Sequence, residues 1–349
     1  MFKFKQNFLF VTKMIYRADD IYNNKLFSAR RFARFVINCY KQSKQLKKQV
    51  GHNRLGIFLD MVWCDFRHGA MDVRDYIWFD FINKSSIQRD RCLTSRRYFR
   101  TIKHFDKETF YRMIDKDKVY EDYSKFIKRS WLLVSSKTSI DEIKSFISAN
   151  KVVLVKPVSS EQGRGIYKLK YDDQSAVNEF IELSRKEDFL LEELLINCDE
   201  LQNISDSLNT VRVYSLVDKT GKVTITNMFL RVGRKNSIVD NWGQGGIGYN
   251  IDLHSGVIDR AGIDNNGNKY LFHPETNIKM IGYEIPRYKE LYDFAMSVAS
   301  HNKKVIYAGI DVAILNDRME LIEVNFPGGR KGLQVMDDIG RYSLVKTIW

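Results

Sequence analysis

The 349-residue sequence has only four cysteines, Cys39, Cys64, Cys92 and Cys198, and no two of them form a Cys-x-x-Cys pair. This spacing excludes a disulfide framework and a cysteine-based zinc site, and it points to a chain that folds in a reducing cytoplasm. Long apolar runs are scarce too. The run Phe8 to Val11 is too short for the core of a signal peptide and far too short to cross a bilayer, and no later stretch does better. There is no internal repeat, which excludes a solenoid. The Walker pattern Gly-x-x-x-x-Gly-Lys-Ser/Thr is missing, so P-loop chemistry is excluded.

What is present is enough apolar material, 44% of residues, for two or three packed lobes, together with a lopsided charge. Residues 1–130 hold 29 Lys/Arg against 14 Asp/Glu, whereas residues 131–349 hold 27 against 29. A basic chain can bind nucleic acid, but that reading leaves a near-neutral remainder with its acid-bearing motifs unexplained, so no nucleic-acid partner is expected. From Leu26 to Tyr40 the residues Leu26, Ala29, Ala33, Val36 and Tyr40 recur every three or four positions, with Arg30, Arg31 and Arg34 elsewhere on the wheel. This spacing predicts a basic amphipathic helix. Its apolar stripe has two possible uses: packing against the aromatic-rich stretch Ile57 to Phe81, or docking at an anionic membrane surface.

The texture changes near Val152. Val152 to Pro157 reads as a strand, Ile166 to Lys170 as its partner, Gln174 to Ser184 as a helix and Phe189 to Glu192 as another strand. A hairpin is expected from Val211 to Val217 and Val223 to Val232, then a Gly-rich segment, Gly243 to Gly248. A helix from Tyr288 to Ser300 precedes two closing strands, Gly309 to Leu315 and Met319 to Asn325.

These last strands carry the most chemistry. Glu323 and Asn325, two apart, project from one face, and a turn centred on Asp317 sets Asp311 opposite Glu323. Facing carboxylates repel unless something positive lies between them. The pair is therefore either a solvated hairpin face or an oxygen-ligand set suited to Mg²⁺ and nucleotide phosphates. On the repulsion argument, Asp311→Asn or Glu323→Gln should leave metal-free stability equal or higher. Lys156 ends an apolar strand, and the loop behind it, with Ser159, Ser160, Gly163 and Gly165, can turn backbone N–H groups toward an anion; a plain hairpin connection is the alternative. Glu192 and Glu193 follow an apolar strand. Backbone groups from Glu193 to Leu195 can read an adenine edge and a later acid can accept from ribose hydroxyls, or the segment is an ordinary strand end. Arg212 and Arg231 sit mid-strand, where a fixed guanidinium can bind a γ-phosphate or an oxyanion, or simply pair with a neighbouring acid. The segment Asp240 to Gly246 lacks the strand-then-helix setting of a dinucleotide fingerprint. His273, before a proline, reads as a turn residue rather than a base.

In this order, Val155 to Gly165, Leu191 to Leu195 and Gly309 to Asn325 resemble the phosphate strand, hinge and metal strands of the ATP-grasp superfamily. The segments Leu208 to Arg212, Phe229 to Gly233, Val239 to Asn241 with Gly245-Gly246, and His273-Pro274 are similar to its sugar-transfer-associated group, related to alpha-L-glutamate ligases. Gly69-Ala70 and Tyr76 extend the likeness, which covers roughly residues 55 to 330. The resemblance implies an α+β ATP-grasp fold, two α+β lobes clasping ATP. Its parts would be a mainly helical basic region over 1–115, a nucleotide lobe over 116–204 and a metal and substrate lobe over 205–349. It implies ATP and Mg²⁺, with Lys156 on phosphates, Glu192 to Leu195 on adenine, Asp199 on ribose, and Asp311, Glu323 and Asn325 on metal. An earlier lysine usually touches the nucleotide, and Lys118 is the candidate, with Lys116, Lys125 and Lys128 as competitors. Related peptide ligases often carry an arginine two residues before the first metal acid; here that position is Gly309, so Arg231 is expected in its role. The implied reaction is amide formation from a carboxylate and an amine through an acyl phosphate, with a sugar acid and an amino acid as substrates in surface polysaccharide (capsule or lipopolysaccharide) biosynthesis. The same site also suits phosphorylation of a sugar hydroxyl. The expected location is the cytoplasm, with peripheral contact at the inner membrane face or with a lipid-linked glycan.

Overall fold

The structure is a computed structural model, and it describes residues 29–158, 165–234, 240, 242 and 245–348. Among these, no strand precedes Trp131. The helices are α1 (Ala29–Val50), α2 (Arg54–His68), α3 (Val73–Trp78), α4 (Ser86–Asp90), α5 (Ser95–Ile102), α6 (Lys107–Arg112) and α7 (Lys116–Asp122). Asn53 caps α2 by accepting from the Leu55 N–H at 3.0 Å, and Gly69 ends it at φ 72°, a left-handed turn that glycine adopts without steric cost. One core joins Phe35, Cys39 and Leu46 of α1 to Ile57, Met61, Tyr76, Phe79 and Phe81. The stripe of α1 therefore packs, and it is rotated from the expected one, since Ala33 and Tyr40 are exposed. The bulkier Phe35 and Cys39 take the inward positions. Leu26 lies outside the described residues.

The second unit comprises β1 (Trp131–Val134), α8 (Ile140–Asn150), β2 (Val152–Pro157), β3 (Tyr167–Lys170), α9 (Gln174–Ser184) and β4 (Phe189–Glu193). Its four strands are antiparallel in the order β1-β4-β2-β3. Ser139 and Asp173 cap the two helices. Period-2 alternation sends Val153, Val155, Leu169, Phe189 and Leu191 into a core with Ile143, Ile147, Val177 and Phe180. The same alternation sends Leu154, Lys156, Leu190 and Glu192 to the opposite face.

The remainder contains α10 (Asp199–Gln202), β5 (Thr210–Val217), β6 (Val223–Val232), β7 (Ile247–Ile251), β8 (Gly262–Ile263), β9 (Lys269–Tyr270), α11 (Tyr288–His301), β10 (Tyr307–Ile314), β11 (Met319–Asn325), α12 (Gly332–Val335) and α13 (Tyr342–Val345). The seven strands form one antiparallel sheet, β11-β10-β5-β6-β7-β8-β9. Register pairs Asp311 with Arg212 and with Glu323, and Thr210 with Arg231. One face thus carries Glu323, Asp311, Arg212, Thr210 and Arg231, while Val211, Val213, Leu230 and Ile310 share the other.

Candidate functional site

The inward face of the four-stranded sheet meets β11 across a cavity of about 300 Å³ lined by Leu154, Lys156, Glu192, the segment 193–196, Asp206 and Ile322. Leu154 and Ile322 supply apolar walls, and the segment leaving β4 supplies strand-end backbone. A charged knot closes one side. Glu192, 2% exposed, accepts from Arg129 Nε at 2.8 Å and Lys156 Nζ at 2.7 Å through Oε2, and from the Tyr120 hydroxyl at 2.6 Å through Oε1. Burial would raise the Glu192 carboxyl, but Arg129 and Lys156 outweigh it and hold it down to about 2. Burial in turn pulls the Lys156 ammonium below its usual range, against Glu192.

Arg129 does more than neutralise. It donates to Glu320 Oε1 at 3.1 Å, to the Leu321 carbonyl at 2.5 Å and to the Ile322 carbonyl at 3.3 Å, so a single guanidinium ties the entrance of β1 to β11. Glu320 also accepts from the Lys128 and Arg129 N–H groups.

On the seven-stranded sheet, the two mid-strand arginines converge on Asp311. Arg212 grips it through Nε and, at 3.0 Å, through Nη2, and Arg231 Nη2 lies 3.0 Å from Oδ2. Burial would raise the Asp311 carboxyl, but Arg212 and then Arg231 hold it below the ordinary range. Thr210 Oγ1 accepts from Arg231 Nη2 at 2.5 Å and donates to Asp240 at 2.5 Å, while the Thr210 N–H donates to Asp240 at 2.7 Å. The positive charge that offsets Asp311 is therefore arginine, supplied from β5 and β6, on the side of Asp311 away from Glu323. The expectation that Asp311→Asn would relieve repulsion is overturned, because that substitution would leave two buried guanidiniums short of a partner.

Several expected positions move. Lys118 sits on the outer face of α7, bonded to Glu121 at 3.1 Å, and does not line the cavity. The cation from this region that reaches the site is Arg129, hidden in sequence among Lys125 and Lys128. Asp199 pairs with Asn316 beside the β10–β11 turn, and it is Gln202 and Asp206, further along the chain, that line the cavity. Glu193 turns its carboxylate to the Ser130 N–H at 3.0 Å, leaving its backbone and Leu195 at the cavity. Gly165 adopts φ 74° close to Pro157, whereas Ser159, Ser160 and Gly163 lie outside the described residues. An added Cβ at Gly309 would stand 3.1 Å from Arg212 Nη1 and 3.3 Å from Gly328, so Arg212 is the arginine that borders this glycine. His273 is buried, bonded to Thr276 and the Gly233 carbonyl, which is a structural role.

The donor set fits a hard cation and a nucleotide in part. Glu323 is exposed, with Asn325 on its face, and its charge acts on both Lys156 and Arg212. Asp311 has one oxygen, Oδ1, bonded to a single arginine, which leaves a lone pair for a metal. Among the described residues no three His, Cys, Asp or Glu side chains cluster as a group that could hold a metal ion.

Comparison with known proteins follows this geometry. No curated protein matches the chain. Among solved structures it is similar to the ATP-grasp ligase PsnB complexed with minimal precursor, Mg and ADP, at 13% identity over 70% of this chain and 60% of that one, TM-score 0.43. It is also similar to the N5-carboxyaminoimidazole ribonucleotide synthetase purK in its ADP complex (11%, 68% and 52%, 0.44) and to D-alanine–D-alanine ligase from Bacillus anthracis (13%, 62% and 57%, 0.35). The chain spans less than two thirds of each of these structures. The sequence pattern of the family described as sugar-transfer associated ATP-grasp matches residues 95–348. With that match covering both sheets, the cavity and the two arginine-bound carboxylates, the chain belongs to the sugar-transfer associated ATP-grasp family.

Proposed function

We propose that the chain is an ATP-dependent carbon–nitrogen ligase that joins a carboxylate to an amine through an acyl phosphate. The observation carrying this reading is the position of Glu323 on β11, directly opposite Asp311 of the sheet-face cluster and next in sequence to Ile322, which lines the cavity with Lys156. The adenine would lie between Leu154 and Ile322 against the backbone of 193–195, with Asp206 or Gln202 at the ribose. Lys156 would leave Glu192 for the phosphates, a short swing for a flexible point charge, while Arg129 keeps the carboxylate neutralised. Glu323, Asn325 and the open lone pair of Asp311 would hold Mg²⁺, which when bound neutralises phosphate charge during transfer. Arg231 and Arg212, fixed by Thr210 and Asp311, would offer donors to the oxyanion formed as the amine attacks.

The acceptor side is lined by cation and aromatic groups suited to a sugar acid. Lys331 Nζ lies 4.5 Å from the Trp78 ring centre and 4.2 Å from that of Trp242, and burial lowers its ammonium to about 8. A flat indole face accepts a sugar ring, and an ammonium between two such faces accepts a carboxylate. A sugar acid and an amino acid in surface polysaccharide assembly, on the cytoplasmic side of a membrane, are the substrates and setting this reading proposes.

The test is an assay of ADP and phosphate release with uronic and amino acids. Phosphate is expected only when carboxylate and amine are both present, and without amine, hydroxylamine should trap the acyl phosphate as a hydroxamate. A stable sugar phosphate accumulating without amine, seen by ³¹P NMR, would make the enzyme a kinase instead.

A further inference from the structure

Helix α2 is apolar on two faces, with Ile57, Met61 and Cys64 in the core and a second apolar row toward solvent. Its solvent face is formed by Leu55, Leu59, Trp63 and Phe66, spaced four, four and three residues apart and exposed by 62, 55, 60 and 58%. Its acids point inward: both oxygens of Asp60 accept from Arg89 at 2.7 and 2.8 Å, and Oδ1 of the buried Asp65 accepts from Arg96 Nη2 at 2.7 Å. A surface helix ordinarily does the reverse, and a contiguous apolar strip of this size on a water-soluble face marks a contact surface. On the neighbouring α1, Ile37 and Tyr40 are exposed by 52 and 57% and continue the strip; Tyr40 sits edge-on to Phe58 of α2 at 6.2 Å.

The rim identifies the occupant. Arg34, Lys41, Lys44 and Lys48 of α1 and Arg67 of α2 are exposed around the strip, while the acids of α2 are withdrawn and neutralised. We propose that this face, with α2 lying flat, docks on an anionic lipid bilayer, its apolar row entering the boundary between headgroups and acyl chains and its cationic rim resting on the headgroups. A second copy of the chain would set the same cations against one another. Residues 1–28 carry five Lys/Arg against two Asp and share that sign. A bilayer supplies both an apolar layer and opposite charge along the length of one helix, and an indole such as Trp63 favours that interface. Among the described residues no helix is long and apolar enough to cross a membrane, so the contact is an in-plane one.

The experiment uses the full chain and reads binding, not turnover, so its outcome is independent of the ligase reading. Co-sedimentation with phosphatidylcholine vesicles, alone or mixed with phosphatidylglycerol, is measured at low and physiological ionic strength. Binding is expected only to the anionic vesicles, weakening with salt, and Leu59→Gln and Trp63→Gln should each lower the partition coefficient by about tenfold. Lys41→Glu with Lys44→Glu should lower it similarly. Brominated lipid should quench a part of the tryptophan emission that is missing from Trp63→Phe, and far-UV circular dichroism checks that every variant folds. The proposal is overturned by absence of binding at low salt, by binding that the apolar substitutions leave unchanged, or by unquenched Trp63. A dimer that Trp63→Gln dissolves, or tight binding to an acidic protein with none to vesicles, would assign the face to that partner instead.

Discussion

The two charged clusters have the same stoichiometry, one carboxylate under two cations, yet they are built for different ends. Around Glu192 the cations are unlike. Arg129 is spent on five acceptors, four in the two sheets and the Tyr120 hydroxyl on α7, and Lys156 reaches Glu192 from the cavity side, with 16% of its side chain exposed. Around Asp311 both cations are arginines, held on neighbouring strands of one sheet, with Arg231 braced by Thr210. The first cluster combines a fixed member with a movable one; the second has no movable member. A point charge on a four-carbon stem can change partner, whereas a braced fork can only present its donors where the sheet places them. We read the first as a clamp that loads and the second as a template.

The sharpest way to break this comparison is Arg129→Met. It leaves Glu192 and Glu320 buried with less compensation and should cost about 3–5 kcal/mol in urea unfolding; a loss under about 1 kcal/mol would mean that Arg129 is not the fixed member. Asp311→Asn should come next, at about 2–3 kcal/mol, because Asp240 still offsets Arg231 while Arg212 loses its main partner. Equal or higher stability would restore the repulsion picture. A pH scan separates the clusters further. With the Glu192 carboxyl held at about 2 in the folded state, below its usual 4.5, its contribution is complete above about 4.5 and disappears as pH falls toward 2. Melting temperature should therefore drop across that interval, and more gently in Glu192→Gln, which starts lower. Glu323→Gln should have the smallest effect on stability, leaving the unfolding midpoint unchanged within error, while Mg-dependent turnover is lost. Near-normal turnover would remove Glu323 from the metal set.

These contrasts also show how much could be read from sequence. The strands over Val152–Pro157, Val223–Val232 and Met319–Asn325 and the helix over Gln174–Ser184 were legible because alternation and 3.6-residue spacing are local signals. So was the facing of Asp311 and Glu323, which needs only a turn position and a count. Arg129 was not legible, because its significance lies in carbonyls of Leu321 and Ile322, nearly two hundred residues away. Asp199 and Asp206 look alike in sequence, and only the turn of α10 decides which lines the cavity. The second, exposed apolar face of α2 was hidden for a related reason. Apolar and acidic residues alternate there as on any amphipathic helix, and Arg89 and Arg96, which draw the acids inward, sit on other helices.

The glycine at 309 sets a limit on volume in this corner of the sheet. A Cβ there would stand 3.1 Å from Arg212 Nη1 and 3.3 Å from Gly328, a gap that the flexible end of Arg212 can open by a small shift, whereas a Cβ on Gly328 would meet the Ala308–Gly309 peptide at 2.7 Å, where backbone has little room to give. A longer side chain at 309 therefore competes with Arg212 for one space, and any shift of Arg212 is felt by Asp311, to which it is bonded. The room around one carboxylate is set by two residues that carry no side chain.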